Sequence, residues 1–220
     1  MSLHLIRELE RIKESMLKMA TLVEETIEKA TRSVIERSVQ LAREVMDGDG
    51  VIDQLEIDIE EECLKTLALH QPVAVDLRYL ICVLKINSDL ERMADLSVNV
   101  ARTTPFLTQA DNVEMGFDFG ELSGMVREMV GDSLNALLER DPHLARRVIE
   151  NDDEVDKIKE TAGEWAIKGI KENPEQAGIY LRYLSCVRNI ERIGDLSTNV
   201  AEDVIYLVEG KIIRHQMGGD

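Results

Sequence analysis

Glu91-Arg92-Met93-Ala94-Asp95-Leu96-Ser97-Val98-Asn99-Val100-Ala101 returns as Glu191-Arg192-Ile193-Gly194-Asp195-Leu196-Ser197-Thr198-Asn199-Val200-Ala201, with eight of eleven positions identical at an offset of 100. Upstream, Leu77-Arg78-Tyr79-Leu80-Ile81-Cys82 returns as Leu181-Arg182-Tyr183-Leu184-Ser185-Cys186, five of six identical, at an offset of 104. Further upstream, Asp49-x-x-x-Asp53 matches Asp152-x-x-x-Asp156 at an offset of 103. The step of four between the first two offsets is about one helical turn, so the extra turn in the first copy leaves its face unrotated. A chain that repeats itself this way is two copies of one supersecondary unit.

The unit is helical. From Met1 to Asp47 there is neither glycine nor proline, and Leu5, Leu9, Ile12, Met16, Met19 and Val23 recur at steps of three and four. Ile27, Ala30, Val34, Leu41 and Val45 extend the stripe. The pattern predicts one long amphipathic helix over 2–46, stopped by Asp47-Gly48-Asp49-Gly50. The four prolines, at 72, 105, 142 and 174, mark further boundaries, because proline costs about 3 kcal/mol inside a helix but is tolerated in its first turn. Helices are therefore expected at 50–70, 73–104, 116–140, 142–171 (broken at Asn151-Asp152) and 175–209. Residues 103–117, TTPFLTQADNVEMGF, form the one stretch that resembles a linker. The expected class is all-α, three helices followed by three helices, divided into 1–108 and 109–220.

Charge excludes some functions. The 220 residues carry 43 acidic and 26 basic side chains, a net charge of −17, and both halves are acidic. A DNA duplex or an anionic membrane surface would repel such a chain. Three cysteines (Cys63, Cys82, Cys186), without CxxC spacing, point to a reducing compartment rather than a disulfide framework. No apolar run approaches the roughly 18 residues of a membrane span, and the N-terminus lacks a signal-peptide stretch. A cytoplasmic location is expected.

The carboxylates carry the chemistry. Asp49/Asp53, Glu91/Asp95, Asp152/Asp156 and Glu191/Asp195 each sit at i, i+4, on one helical face, and Asn99 and Asn199 continue two of these rows by a turn. If the second and third helices of each unit run antiparallel, four carboxylates and an amide oxygen converge in each half. That donor set is hard and oxygen-rich, suited to a divalent cation. The competing explanation is local. Acids near helix starts cap free N–H groups and favour the macrodipole, and Glu91 can pair with Arg92, Lys85 or Lys65. Recurrence in both halves favours ligation.

The segments DLRYLICVLKINSDLERMADLSVNVA (76–101) and YLRYLSCVRNIERIGDLSTNVAEDV (180–204) and the ending IYLVEGKIIRH (205–215) resemble the PhoU family, accessory and regulatory proteins of the bacterial phosphate-specific transport system. The resemblance spans nearly the whole chain. It implies two tandem three-helix bundles, up-down and antiparallel, and multinuclear metal clusters held by E(D)xxxD motifs. Carried over by position, one cluster uses Asp49, Asp53, Glu91, Asp95 and Asn99, and the other Asp152, Asp156, Glu191, Asp195 and Asn199. Divalent or trivalent ions are implied, iron in some members and other divalent ions elsewhere, with magnesium, manganese, calcium and zinc left open. Two departures stand out: Leu196 where members often carry His, and Met93-Ala94 where Ile-Gly is usual. Without a histidine in either motif, zinc is disfavoured.

The resemblance further implies negative regulation of phosphate uptake and of the phosphate-starvation response. The protein would act as a homodimeric adaptor between the transporter's ATPase subunit and a membrane sensor histidine kinase. No enzyme is expected: Glu-x-x-His, GxxxxGK[ST], GxSxG and HExxH are all absent. A di-metal carboxylate enzyme and a metal-free helical scaffold are the competing classes. His4, His70, His143 and His215 are isolated near helix ends and read as surface or capping residues. Cys82 and Cys186 read as small core residues, and Arg78 and Arg182 as surface ion-pair partners rather than neutralisers of the acid rows.

Overall fold

Leu5, Ile12, Met16, Met19, Val23, Ile27, Ala30 and Val34 bury one face of the first helix, α1 (Leu3–Ile35). The computed structural model describes residues 3–110 and 113–210; residue 2, the linker positions 111–112 and His215 lie outside them. The helices that follow are α2 (Val39–His70), α3 (Val75–Ala101), the single turn α4 (Thr104–Leu107), α5 (Phe119–Glu139), α6 (Pro142–Glu172) and α7 (Ala177–Glu209), with a 3-10 turn at Pro174–Gln176 before α7. Among the described residues there is no strand, and no helix is long and apolar enough to cross a membrane.

The helix expected over 2–46 is two helices. α1 closes with the Ser38 N–H donating to the Ser33 carbonyl at 2.9 Å and the Arg37 N–H to Val34 at 3.3 Å, around Arg37 at φ +50°. This is a Schellman closure with arginine in the left-handed position that glycine normally takes. Ser38 then caps α2, its hydroxyl accepting from the Leu41 N–H at 3.3 Å. The second copy repeats the device. Asp141 N–H donates to Ala136 at 2.9 Å and Arg140 N–H to Leu137 at 3.4 Å, Arg140 stands at φ +52°, and Asp141 caps α6.

Asp47-Gly48-Asp49-Gly50 lies inside α2, and Asn151-Asp152 does not break α6. Glycine in a helix interior costs about 1 kcal/mol relative to alanine. Here Gly48 and Gly50 face solvent, while Val45, Ile52 and Leu55 bury the opposite face and offset the loss. The stretch 103–117 is also not all linker, since α4 buries Thr104 and Leu107 and Ser33 Oγ and Thr104 Oγ1 share a buried hydrogen bond of 2.8 Å. Correspondingly, α3 ends at Ala101 rather than 104.

Short turns at 36–38 and 71–74 fold α1, α2 and α3 into one antiparallel bundle. α5, α6 and α7 form its repeat, and the 108/109 division falls between α4 and α5. Across the pair, α3 packs on α7 and α1 on α5, and a single apolar core runs through both bundles. The α3–α7 seam also carries a salt bridge, Lys85 Nζ to Asp203 Oδ1 at 3.0 Å, with the Asp203 side chain only 3% exposed.

Candidate metal centre

α2 and α3 bring their acid rows to one side of the first bundle, and α6 and α7 do the same in the second. The repeats agree residue by residue: Asp49 and Asp152 are half-buried, Asp53 and Asp156 exposed, Glu91 and Glu191 half-buried, Asp95 and Asp195 exposed.

Electrostatics shows that each quartet faces itself. Burial pushes the Asp49 carboxyl up, Asp53 and Asp95 push it further, and Arg102 opposes them. Glu91 is raised by burial, then by Asp95, Asp53, Glu56 and Asp49. In the second bundle burial, followed by Asp195, Asp156 and Glu191, lifts Asp152 from 3.8 to about 6. Asp195 is raised by burial first and then by Glu191, against Lys159. Burial is the leading cause in all four, and repulsion from neighbouring carboxylates adds to it. The side chains do not converge to a point, however: among the described residues no three His, Cys, Asp or Glu are close enough to hold a metal ion as they stand.

The donor chemistry fits a hard cation best in the first cluster. Asp49 Oδ1 is shut off from solvent and accepts no hydrogen bond, a costly position for a carboxylate oxygen without a cation. Asn99 Oδ1 instead accepts from Arg102 Nη1 at 3.2 Å. In the second cluster the Lys159 ammonium donates to both Asp156 Oδ1 and Glu191 Oε1 at 2.6 Å.

Three features escaped sequence reasoning. Glu56 joins the first cluster, its carboxyl raised by burial and by Glu60 and Asp53. Lys159 stands at the matching place in the second, at the same offset of 103 that relates Asp53 to Asp156. The i, i+3 spacing from Asp53 and Asp156 was the available signal. Third, the clusters share a groove of about 380 Å³ between α3 and α7, lined by Arg92, Asp95, Leu96 and Asn99 and by their counterparts Arg192, Asp195, Leu196 and Asn199. Only packing one repeat on the other creates it.

The remaining residues have structural work. His4, His70 and His143 sit near helix ends, and the His143 N–H is itself capped by Asp141. Cys63, Cys82 and Cys186 are fully buried. Burial pushes the Cys63 thiol up to about 12 and the Cys186 thiol to about 11, which leaves little thiolate for redox chemistry. The Arg182 guanidinium lies over the Phe106 ring, 4.0 Å from its centroid.

A family model for the PhoU domain matches residues 16–104 and again 119–204. A phosphate-specific transport system accessory protein PhoU homolog from Aquifex aeolicus is 41% identical over 212 residues, 96% of either chain. The crystal structure of PhoU from Pseudomonas aeruginosa superposes with a TM-score of 0.88 at 36% identity, over 93% of this chain and 99% of that one. The phosphate transport system regulatory protein PhoU from Streptococcus pneumoniae gives 0.83 at 26% identity, over 94% and 98%. With the domain matched in both halves, the acid quartets placed alike in each and the whole fold shared, the chain belongs to the PhoU family.

Proposed function

We propose that this chain is a non-catalytic accessory protein of phosphate-specific transport, acting as a negative regulator of phosphate uptake and of the phosphate-starvation response. The observation that carries this reading is the match of both repeats to relatives named as accessory proteins of that system, over nearly the full length. Those relatives are named as accessory or regulatory proteins rather than enzymes, which favours an adaptor over a di-metal enzyme. As an adaptor it would work in the cytoplasm as a homodimer, between the transporter's ATPase subunit and the sensor histidine kinase.

Metal would be held by Asp49, Asp53, Glu91, Asp95 and Asn99 in the first cluster and by Asp152, Asp156, Glu191, Asp195 and Asn199 in the second. All are oxygen donors, which suits iron, manganese, magnesium or calcium better than zinc. Binding there would relieve carboxylate repulsion and tie α2 to α3 and α6 to α7, so metal would stiffen the acidic face. The unpartnered Asp49 Oδ1 supports this reading.

Two measurements test it. Metal analysis of the chain purified without chelator should find bound metal that falls sharply in D95A/D195A; a metal-free wild type would remove the site assignment. Immobilised chain should retain the transporter's ATPase subunit, and failure to do so with metal present would remove the adaptor role.

A further inference from the structure

The two quartets are copies in sequence but not in charge. Lys159 Nζ lies 2.6 Å from Asp156 Oδ1 on α6 and 2.6 Å from Glu191 Oε1 on α7, so one ammonium already joins the two helices of the second bundle. The bridge is sheltered, with the Glu191 side chain 12% and the Lys159 side chain 33% exposed. In the first bundle the equivalent residue is Glu56, a carboxylate half-buried beside Asp53. The first set thus holds five carboxylates and an oxygen, Asp49 Oδ1, that nothing satisfies. The second holds its four quartet carboxylates with Asp153 beside Asp152, and two of the four are already bonded to a cation. Arg102, whose counterpart is Glu202, works in the opposite sense, but it sits at the rim and donates to Asn99 Oδ1.

We infer that Lys159 is the resident cation of the second cluster, so that this chain loads divalent metal at its first cluster in preference to its second. The inference rests on the proposed metal-binding role of the quartets. A metal ion using Asp156 and Glu191 must first displace the ammonium and break two charge-assisted hydrogen bonds, while in the first cluster no ammonium or guanidinium is bonded to a carboxylate and Arg102 holds only the Asn99 amide oxygen. The cost falls on one site, and the second cluster is held together without metal.

The test is Mn2+ binding to the chelator-stripped full-length chain, followed by the paramagnetic resonance of free Mn2+. D53N/D95N should abolish the tight class of sites in the wild type. Adding Lys159→Met to that variant should restore binding at least about tenfold tighter, the equivalent of one charge-assisted hydrogen bond no longer lost on loading. Lys159→Arg, which keeps a cation in place, should leave binding as weak as in D53N/D95N alone. Circular dichroism of every variant confirms that the helices are retained, and Lys159→Gln serves if the Met variant does not fold. Unchanged affinity on removing Lys159, or loss of the tight class in D156N/D195N with Lys159 present, overturns the inference while leaving metal binding intact. Absence of Mn2+ binding in the wild type and all variants overturns the metal reading and this inference together.

Discussion

Asp152 offers the sharpest test of whether the quartets are strained without metal. Its carboxyl is half-buried, lies close to Gly194 on α7 and faces Asp195, Asp156 and Glu191, which together with burial raise it from 3.8 to about 6. A raised carboxyl pKa means that the folded chain holds a proton the unfolded chain has already released. Stability from this residue is therefore full below about pH 4 and declines as pH rises through about 6. At 1.36 kcal/mol for each pH unit of displacement the ceiling is about 3 kcal/mol. Solvent reaches about half of the group, and screening brings the figure to about 1–2 kcal/mol. Asp152→Asn keeps the shape and removes the charge. In chelator near pH 7.5, urea unfolding followed by circular dichroism should show it more stable than wild type by about 1–2 kcal/mol, with a melting temperature a few degrees higher. Near pH 3.5 the two chains should unfold alike. Equal stability near pH 7.5, or a gain only at low pH, would refute the claim that partial burial and neighbouring carboxylates strain the charged Asp152.

Further tests bear on the fold. Gly48→Ala and Gly50→Ala should each stabilise by about 0.5–1 kcal/mol in denaturant titration, since nothing lies within 4 Å of the added methyl; destabilisation would mean that the chain turns there after all. Lys85→Met should cost about 1–2 kcal/mol by removing the cation that faces Asp203 across the α3–α7 seam. The double variant with Asp203→Asn should recover part of that loss, and strictly additive costs would argue against the bridge. Gly169→Ala should cost about 1–3 kcal/mol and shift Trp165 fluorescence, because the new Cβ runs into the Tyr180 ring, which meets Trp165 in a tilted contact with 4.8 Å between centroids.

Legibility in the sequence followed how local each signal was. The acid rows needed only i, i+4 spacing and the duplication, both visible in the text; they lie on neighbouring helices, but their carboxylates stop short of the expected convergence. The α1–α2 boundary failed because its closing residue is Arg37 rather than glycine, in a conformation that costs a non-glycine residue about 1 kcal/mol. The nearby glycines at 48 and 50 drew the boundary eleven or more residues too far. A signal did exist. Carried upstream at its own offset of 103, the repeat pairs Arg37-Ser38 with Arg140-Asp141, and Leu41-Ala42-Arg43 with Leu144-Ala145-Arg146. The proline at 142 would then have marked both turns. The groove between α3 and α7 could not be read at all, because it arises from packing between residues a hundred positions apart.

What the two copies kept and what they changed sorts by physical role. The Schellman closures, the N-caps at Ser38 and Asp141, the buried stripes and the eight quartet acids are kept, and each sets a helix end, a core face or a duplicated site. Two of the pairs that changed sign, Glu56 with Lys159 and Arg102 with Glu202, lie on the rims of the quartets, while others, such as Lys18 with Glu121 and Glu44 with Arg147, lie on exposed faces elsewhere. Of the two at the carboxylates, one places an ammonium within hydrogen-bond distance of two quartet acids. Backbone geometry is therefore common to the repeats while local field is not. Two sites so alike in shape and so different in charge face one groove, and the proposed order of metal loading follows from that difference.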